Sequence, residues 1–78
     1  MHRPYNPEHK RALSPRETEV VRLTAAGMSA KQIAAELRIT ERTVAYFKLG
    51  ARQKLGVGTM AEVIVWAARN SILQETAA

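Results

Sequence analysis

Apolar residues recur at spacings of three and four in four successive stretches of the 78-residue chain, the period of one buried helix face. Val20, Val21 and Thr24 share a side of the first stretch, with Leu13 leading in, and Ile33, Ala34 and Leu37 share a side of the second. Val44, Phe47, Ala51 and Leu55 do so in the third, and Met60, Val63, Ile64 and Ala67 in the fourth. Each stretch opens on a start signature. Ser14-Pro15-Arg16-Glu17, Ser29-Ala30-Lys31-Gln32 and Thr59-Met60-Ala61-Glu62 are capping boxes, the first with Pro at the opening helical position, and Thr40 with Glu41 opens the third helix. Gly27 and Gly56 are stops, and Val57 is the apolar residue that often follows a left-handed cap. No alternating apolar and polar run and no Asn-Gly or Asp-Gly hairpin signal is present. The pattern predicts helices at about 15–26, 30–37, 41–55 and 60–70, an all-α domain over residues 13–73. Residues 1–12, with two prolines and no apolar period, read as a flexible arm or linker, and 74–78 as a frayed tail. Ile72 and Leu73 are expected to fold back onto the core.

Charge gives this scaffold a direction. Twelve Lys and Arg stand against seven Glu, with no Asp, for a formal charge of +5 and a pI near 10.3. The absence of Cys excludes disulfides, thiolate zinc sites and thiol catalysis. Two His, at positions 2 and 9, without Asp leave little for a metal cluster or a catalytic triad. The expectation is therefore no enzyme, no cofactor and no metal. The longest apolar run, Val63 to Ala68, falls far short of the roughly 20 residues of a membrane span, and the polar N-terminus does not read as a signal peptide. A cytoplasmic location and a partner of negative charge are expected. The charge is also local. Residues 38–55 carry Arg38, Arg42, Lys48, Arg52 and Lys54 against Glu41 alone, a balance of +4, whereas residues 1–37 balance at +2 and 56–78 at −1.

That basic stretch is the second half of a bihelical unit. Only Arg38, Ile39 and Thr40 separate a short helix from a longer one, the layout of a helix-turn-helix, and Ile39 can plug the space between the two. Any αα-corner has a similar pattern, so the residues themselves must say more. Leu13-Ser14-Pro15-Arg16-Glu17 through Glu19-Val20-Val21 resembles the opening of LuxR-type (GerE-type) DNA-binding domains of bacterial transcriptional regulators. So do Ala26-Gly27-Met28-Ser29-Ala30-Lys31-Gln32-Ile33-Ala34, Ile39-Thr40-Glu41-Arg42-Thr43-Val44 and Lys54-Leu55-Gly56-Val57, in the same order and spacing. The resemblance spans about residues 13–73. It implies a four-helix fold whose third helix enters the major groove of double-stranded DNA, with a fourth helix that commonly forms a homodimer on a two-half-site operator.

The candidate DNA-binding residues follow from position. Arg42 and Thr43 sit in the first turn of the third helix, where side chain and backbone N–H can both meet a phosphate. Lys31, in the first turn of the second helix, can do the same across the groove wall, and Lys48 and Arg52 flank the outer face further along. That face holds Arg42, Ala45, Tyr46, Leu49 and Gln53, of which Ala45, Tyr46 and Leu49 are candidate groove contacts. The sequence departs from the family here: Ala45 stands where Lys is frequent and Phe47 where His is common, while Tyr46–Phe47 and Gly50 look more like the quorum-sensing subgroup. With apolar groups at its centre, the face is expected to read bases modestly, drawing affinity from phosphates and some specificity from DNA shape. Gly50 inside a helix costs about 1 kcal/mol relative to Ala, and either a close neighbour or tolerated drift would explain it.

On the fourth helix, Ala61, Glu62, Val65 and Trp66 are the candidate dimerisation residues; ordinary surface is the alternative for them. Two other functions compete with transcription-factor DNA binding. One is a helical protein-interaction module, the other a sigma-factor-like domain that contacts RNA polymerase or another regulator. The concentration of cations around the third helix favours DNA, since an interaction module has no need of it. Regulators built on this module usually carry a separate sensing or phosphoacceptor domain, and the 78 residues read either as an excised fragment or as a regulator consisting of the DNA-binding domain alone.

Overall fold

The computed structural model describes residues 13–70, 72 and 73. Its elements are α1 (Pro15–Ala25), α2 (Ala30–Leu37), α3 (Glu41–Leu55) and α4 (Met60–Arg69). They match the expected four helices, with α1 and α4 each ending one residue sooner. The arm at 1–12 and the tail at 74–78 lie outside the described residues.

All three capping boxes form. The Ser14, Ser29 and Thr59 side chains accept from the N–H groups of Glu17, Gln32 and Glu62, whose side chains return the bond to the cap backbone. Thr40 caps α3 by accepting from Thr43 N–H at 3.0 Å. The stops share one geometry. Gly27 and Gly56 have φ of 95° and 70°, and the next residue reaches back five positions, Met28 N–H to Leu23 O at 3.1 Å and Val57 N–H to Arg52 O at 3.0 Å. α2 ends in the same way without a glycine. Arg38 takes the left-handed conformation at φ 60° and ψ 46°, and Ile39 N–H bonds Ala34 O at 3.0 Å. Sequence reading ended the helix at 37 but named no stop residue, because the residue that supplies the turn is one that ordinarily avoids it.

The core has two lobes sharing α1 and α3. Val20, Ile33, Ala34 and Val44 join α1, α2 and α3, with Leu37, Ile39 and Phe47 packed at the margin. Ile39 thus does fill the corner of the bihelical unit. Val21, Ala51, Leu55, Val63 and Ala67 join α1, α3 and α4, and Ile72 and Leu73 pack against this lobe as expected. Because α3 contributes to both lobes, its inner face is held along its whole length and its outer face has one fixed orientation.

A polar contact also joins α1 to α3. Glu17, read from sequence only as a capping residue, is 7% exposed. Its Oε1 accepts from Ser14 N–H at 2.8 Å and from Lys54 Nζ at 2.8 Å, which ties the start of α1 to the end of α3. Its Oε2 lies against Gly50, so close that a Cβ there would overlap it. This settles the choice left open for Gly50: the missing side chain makes room for a carboxylate. No helix among the described residues is long and apolar enough to cross a membrane.

Candidate nucleic-acid interface

The outer face of α3 forms a single stripe. Arg42, Ala45, Tyr46, Leu49 and Gln53 are exposed, at helical spacings that align them along the axis away from Val44, Ala51 and Leu55. Thr43, Lys48 and Arg52 are half-buried along its margins. The Thr43 hydroxyl is 2.9 Å from the Thr40 hydroxyl, which places two Oγ atoms and the α3 N-terminus together. Lys31 is exposed in the first turn of α2, on the neighbouring element of the bihelical unit. Tyr46 is held from behind. Its ring meets Phe47 edge-on, with centroids 5.7 Å apart and planes at 63°, and Phe47 packs into the α1–α2–α3 lobe.

Lys54 is the exception to the basic segment. Counted among its cations from sequence, it is instead committed to Glu17, the two side chains being 25% and 8% exposed. Burial alone would raise the Glu17 carboxyl pKa; the Lys54 ammonium and the Ser14 N–H and hydroxyl outweigh it and hold the group below its ordinary value. One of the segment's five cations therefore stabilises the fold and is not offered to a partner. Sequence held a signal for this in Gly50, a costly residue mid-helix open to either a close neighbour or tolerated drift, but it did not name Glu17 as that neighbour.

The α4 surface is separate. Ala61, Glu62 and Val65 are exposed on one side of α4, while Val63 and Ala67 face the core and half-buried Trp66 packs against it. The Glu62 Oε1 accepts from the Thr59 hydroxyl at 3.0 Å and from the N–H groups of Gly58 and Thr59 at 3.1 and 3.0 Å. Those bonds hold its carboxyl below the usual range. The side chain is thus engaged by its own cap, and Ala61 and Val65, with the exposed part of Trp66, are the groups of this set left open to a second surface.

The profile of bacterial regulatory proteins of the luxR family matches residues 11–67, which include all of α1, α2 and α3 and most of α4. The chain belongs to the luxR family. It is similar to the Fimbriae Z protein of Salmonella typhimurium, 36% identical over 70 residues, covering 90% of this chain and 33% of that protein. It is also 40% identical over 60 residues to BvgA of Bordetella pertussis, a putative positive transcription regulator of virulence factors, covering 77% of this chain and 29% of the relative. The crystal structure of the response regulator ChrA of a heme-sensing two-component system superposes with a TM-score of 0.72 at 35% identity, covering 80% of this chain and 31% of ChrA. The chain thus spans about a third of the length of these relatives. As a luxR-family helix-turn-helix domain it is a DNA-binding module of transcription regulation and not an enzyme.

Proposed function

We propose that α3 lies in the major groove of double-stranded DNA, with Ala45, Tyr46 and Leu49 against base edges and Lys31, Arg42, Thr43, Lys48 and Arg52 on the flanking phosphates. The observation that carries this reading is the α3 stripe itself. It is exposed along its length, is bordered by cations, and is pinned from behind by two core lobes and the Glu17–Lys54 pair. A rigid, cation-bordered helix face fits a groove between two phosphate strands. Two copies meet through Ala61, Val65 and the exposed part of Trp66 on α4, with Glu62 of the expected set held in its own cap beside them, so that two α3 helices address two half-sites of one operator. The two surfaces do not compete, because α3 turns Ala51 and Leu55 toward α4 and the stripe away from it. The bacterial cytoplasm, where DNA is accessible, is the compartment this function requires.

Titration against duplex DNA at several salt concentrations tests the reading. Lys31, Arg42, Lys48 and Arg52 are four cations placed for phosphate, so log affinity should fall against log salt with a slope of about −3.6. A flat response, or no binding at low salt, contradicts it. Replacing Arg42 with Ala should weaken all sequences alike and reduce the slope by about 0.9.

A further inference from the structure

Large apolar side chains exposed on a helix bordered by cations call for a partner that is anionic at its edges and apolar at its centre. Tyr46 is 69% exposed and Leu49 44%, and the small Ala45 lies beside them. Of these three only Tyr46 carries a polar atom, its hydroxyl, so hydrogen-bonded base readout from the middle of the stripe is confined to that group. The polar groups of the stripe, Arg42 and Gln53, stand at its two ends. In the major groove one base presents an apolar group, the C5-methyl of thymine. Taking the placement of α3 in that groove as its premise, we infer that this domain selects its half-site by thymine methyl groups, read by Ala45, Leu49 and the ring of Tyr46.

The geometry suits the task in two respects. Ala45 and Leu49 are four residues apart, about 6 Å along the axis, which is close to two base-pair steps of about 3.4 Å each. Two side chains so spaced can reach methyls on separate base pairs. The Tyr46 ring is seated edge-on against Phe47, itself anchored in the core lobe, so its apolar surface is presented in one place and little side-chain freedom is lost on contact. Hydrogen bonding by Arg42 or Gln53 then orients the helix at either end, while the centre distinguishes thymine from cytosine by shape and hydration.

Deoxyuridine isolates the methyl, since it keeps every hydrogen-bonding group of thymine. The 78-residue chain is first used to select its best duplex from a random pool, and each thymine of that duplex is then replaced singly by deoxyuridine. Losing a buried methyl should weaken binding about fourfold at one or a few discrete positions per half-site, and leave the others unchanged. In Leu49→Ala or Tyr46→Ala, both exposed positions whose truncation leaves the core intact, the thymine-to-uracil difference should vanish at one of those positions and persist elsewhere. A selected duplex indifferent to every replacement overturns methyl readout and leaves groove binding standing. Methyl sensitivity that survives at every position in both variants overturns the assignment to Leu49 and Tyr46. Failure to select any duplex overturns the groove reading itself, and this inference with it.

Discussion

Replacing Gly50 with Ala should destabilise this domain, although the same change in an unencumbered helix is stabilising by about 1 kcal/mol. The new Cβ would overlap Glu17 Oε2, and the carboxylate is already fixed at its other oxygen by Ser14 N–H and Lys54 Nζ, both at 2.8 Å. To clear the new Cβ the carboxylate must turn, which strains or breaks those bonds. Displacing one member of a largely buried ion pair costs about 3 kcal/mol, taken at the low end because Lys54 keeps some contact with water. Setting the helix gain against this leaves a net loss of about 2 kcal/mol, or roughly 10 °C in Tm for a domain of this size. The decisive comparison is in a Glu17→Ala background, where the obstruction is gone and Gly50→Ala should be stabilising by about 1 kcal/mol. Urea denaturation of the four proteins at pH 7, followed by far-ultraviolet circular dichroism, gives the coupling directly, expected at about 3 kcal/mol. A Gly50→Ala variant that is stabilised in the parent chain, or that responds equally in both backgrounds, would refute this account of the glycine.

Acid should expose the same pair. Because Glu17 titrates below its ordinary value in the folded chain, its contribution is complete above about pH 4.5 and is lost as pH falls through the folded value. Between pH 6 and pH 3, Glu17→Gln should therefore show a shallower loss of stability than the parent, and an identical slope would count against the ion pair; Glu62, also lowered, supplies part of the slope in both. Arg38→Gly should raise stability by about 1 kcal/mol, since φ 60° suits glycine; a loss on chemical denaturation would show that the Arg38 side chain compensates for its backbone. Val65→Glu, at a position 51% exposed, should change monomer stability by no more than about 0.5 kcal/mol yet reduce cooperative binding to a two-half-site duplex. Unchanged cooperativity in a gel-shift titration would remove α4 from the dimer.

The helices were legible because their signals are local. Ser14, Ser29, Thr40 and Thr59 are bonded within three residues of themselves, and the apolar periods of α1 to α4 name the buried residues before any packing is known. The stripe on α3 was legible for the same reason: once Val44, Ala51 and Leu55 face inward, Arg42, Ala45, Tyr46, Leu49 and Gln53 face out. What escaped was non-local or exceptional. Glu17 and Lys54 are 37 residues apart, and a glutamate that completes a capping box gives no sign that its carboxylate also joins α1 to α3. Lys54 accordingly counted as one more cation of the basic segment. Arg38 escaped because the end of α2 depends on a conformation that its residue type disfavours.

The central claim is that the outer stripe of α3 is the surface that meets DNA. Backbone amide chemical shifts of the labelled domain, followed during titration with a short duplex, test it most directly. The largest changes should fall on residues 42–53 of α3 and around Lys31 at the start of α2, with α1 near Arg16 and Glu19 little affected. Changes centred on α1 or α4, with α3 unmoved, would contradict it.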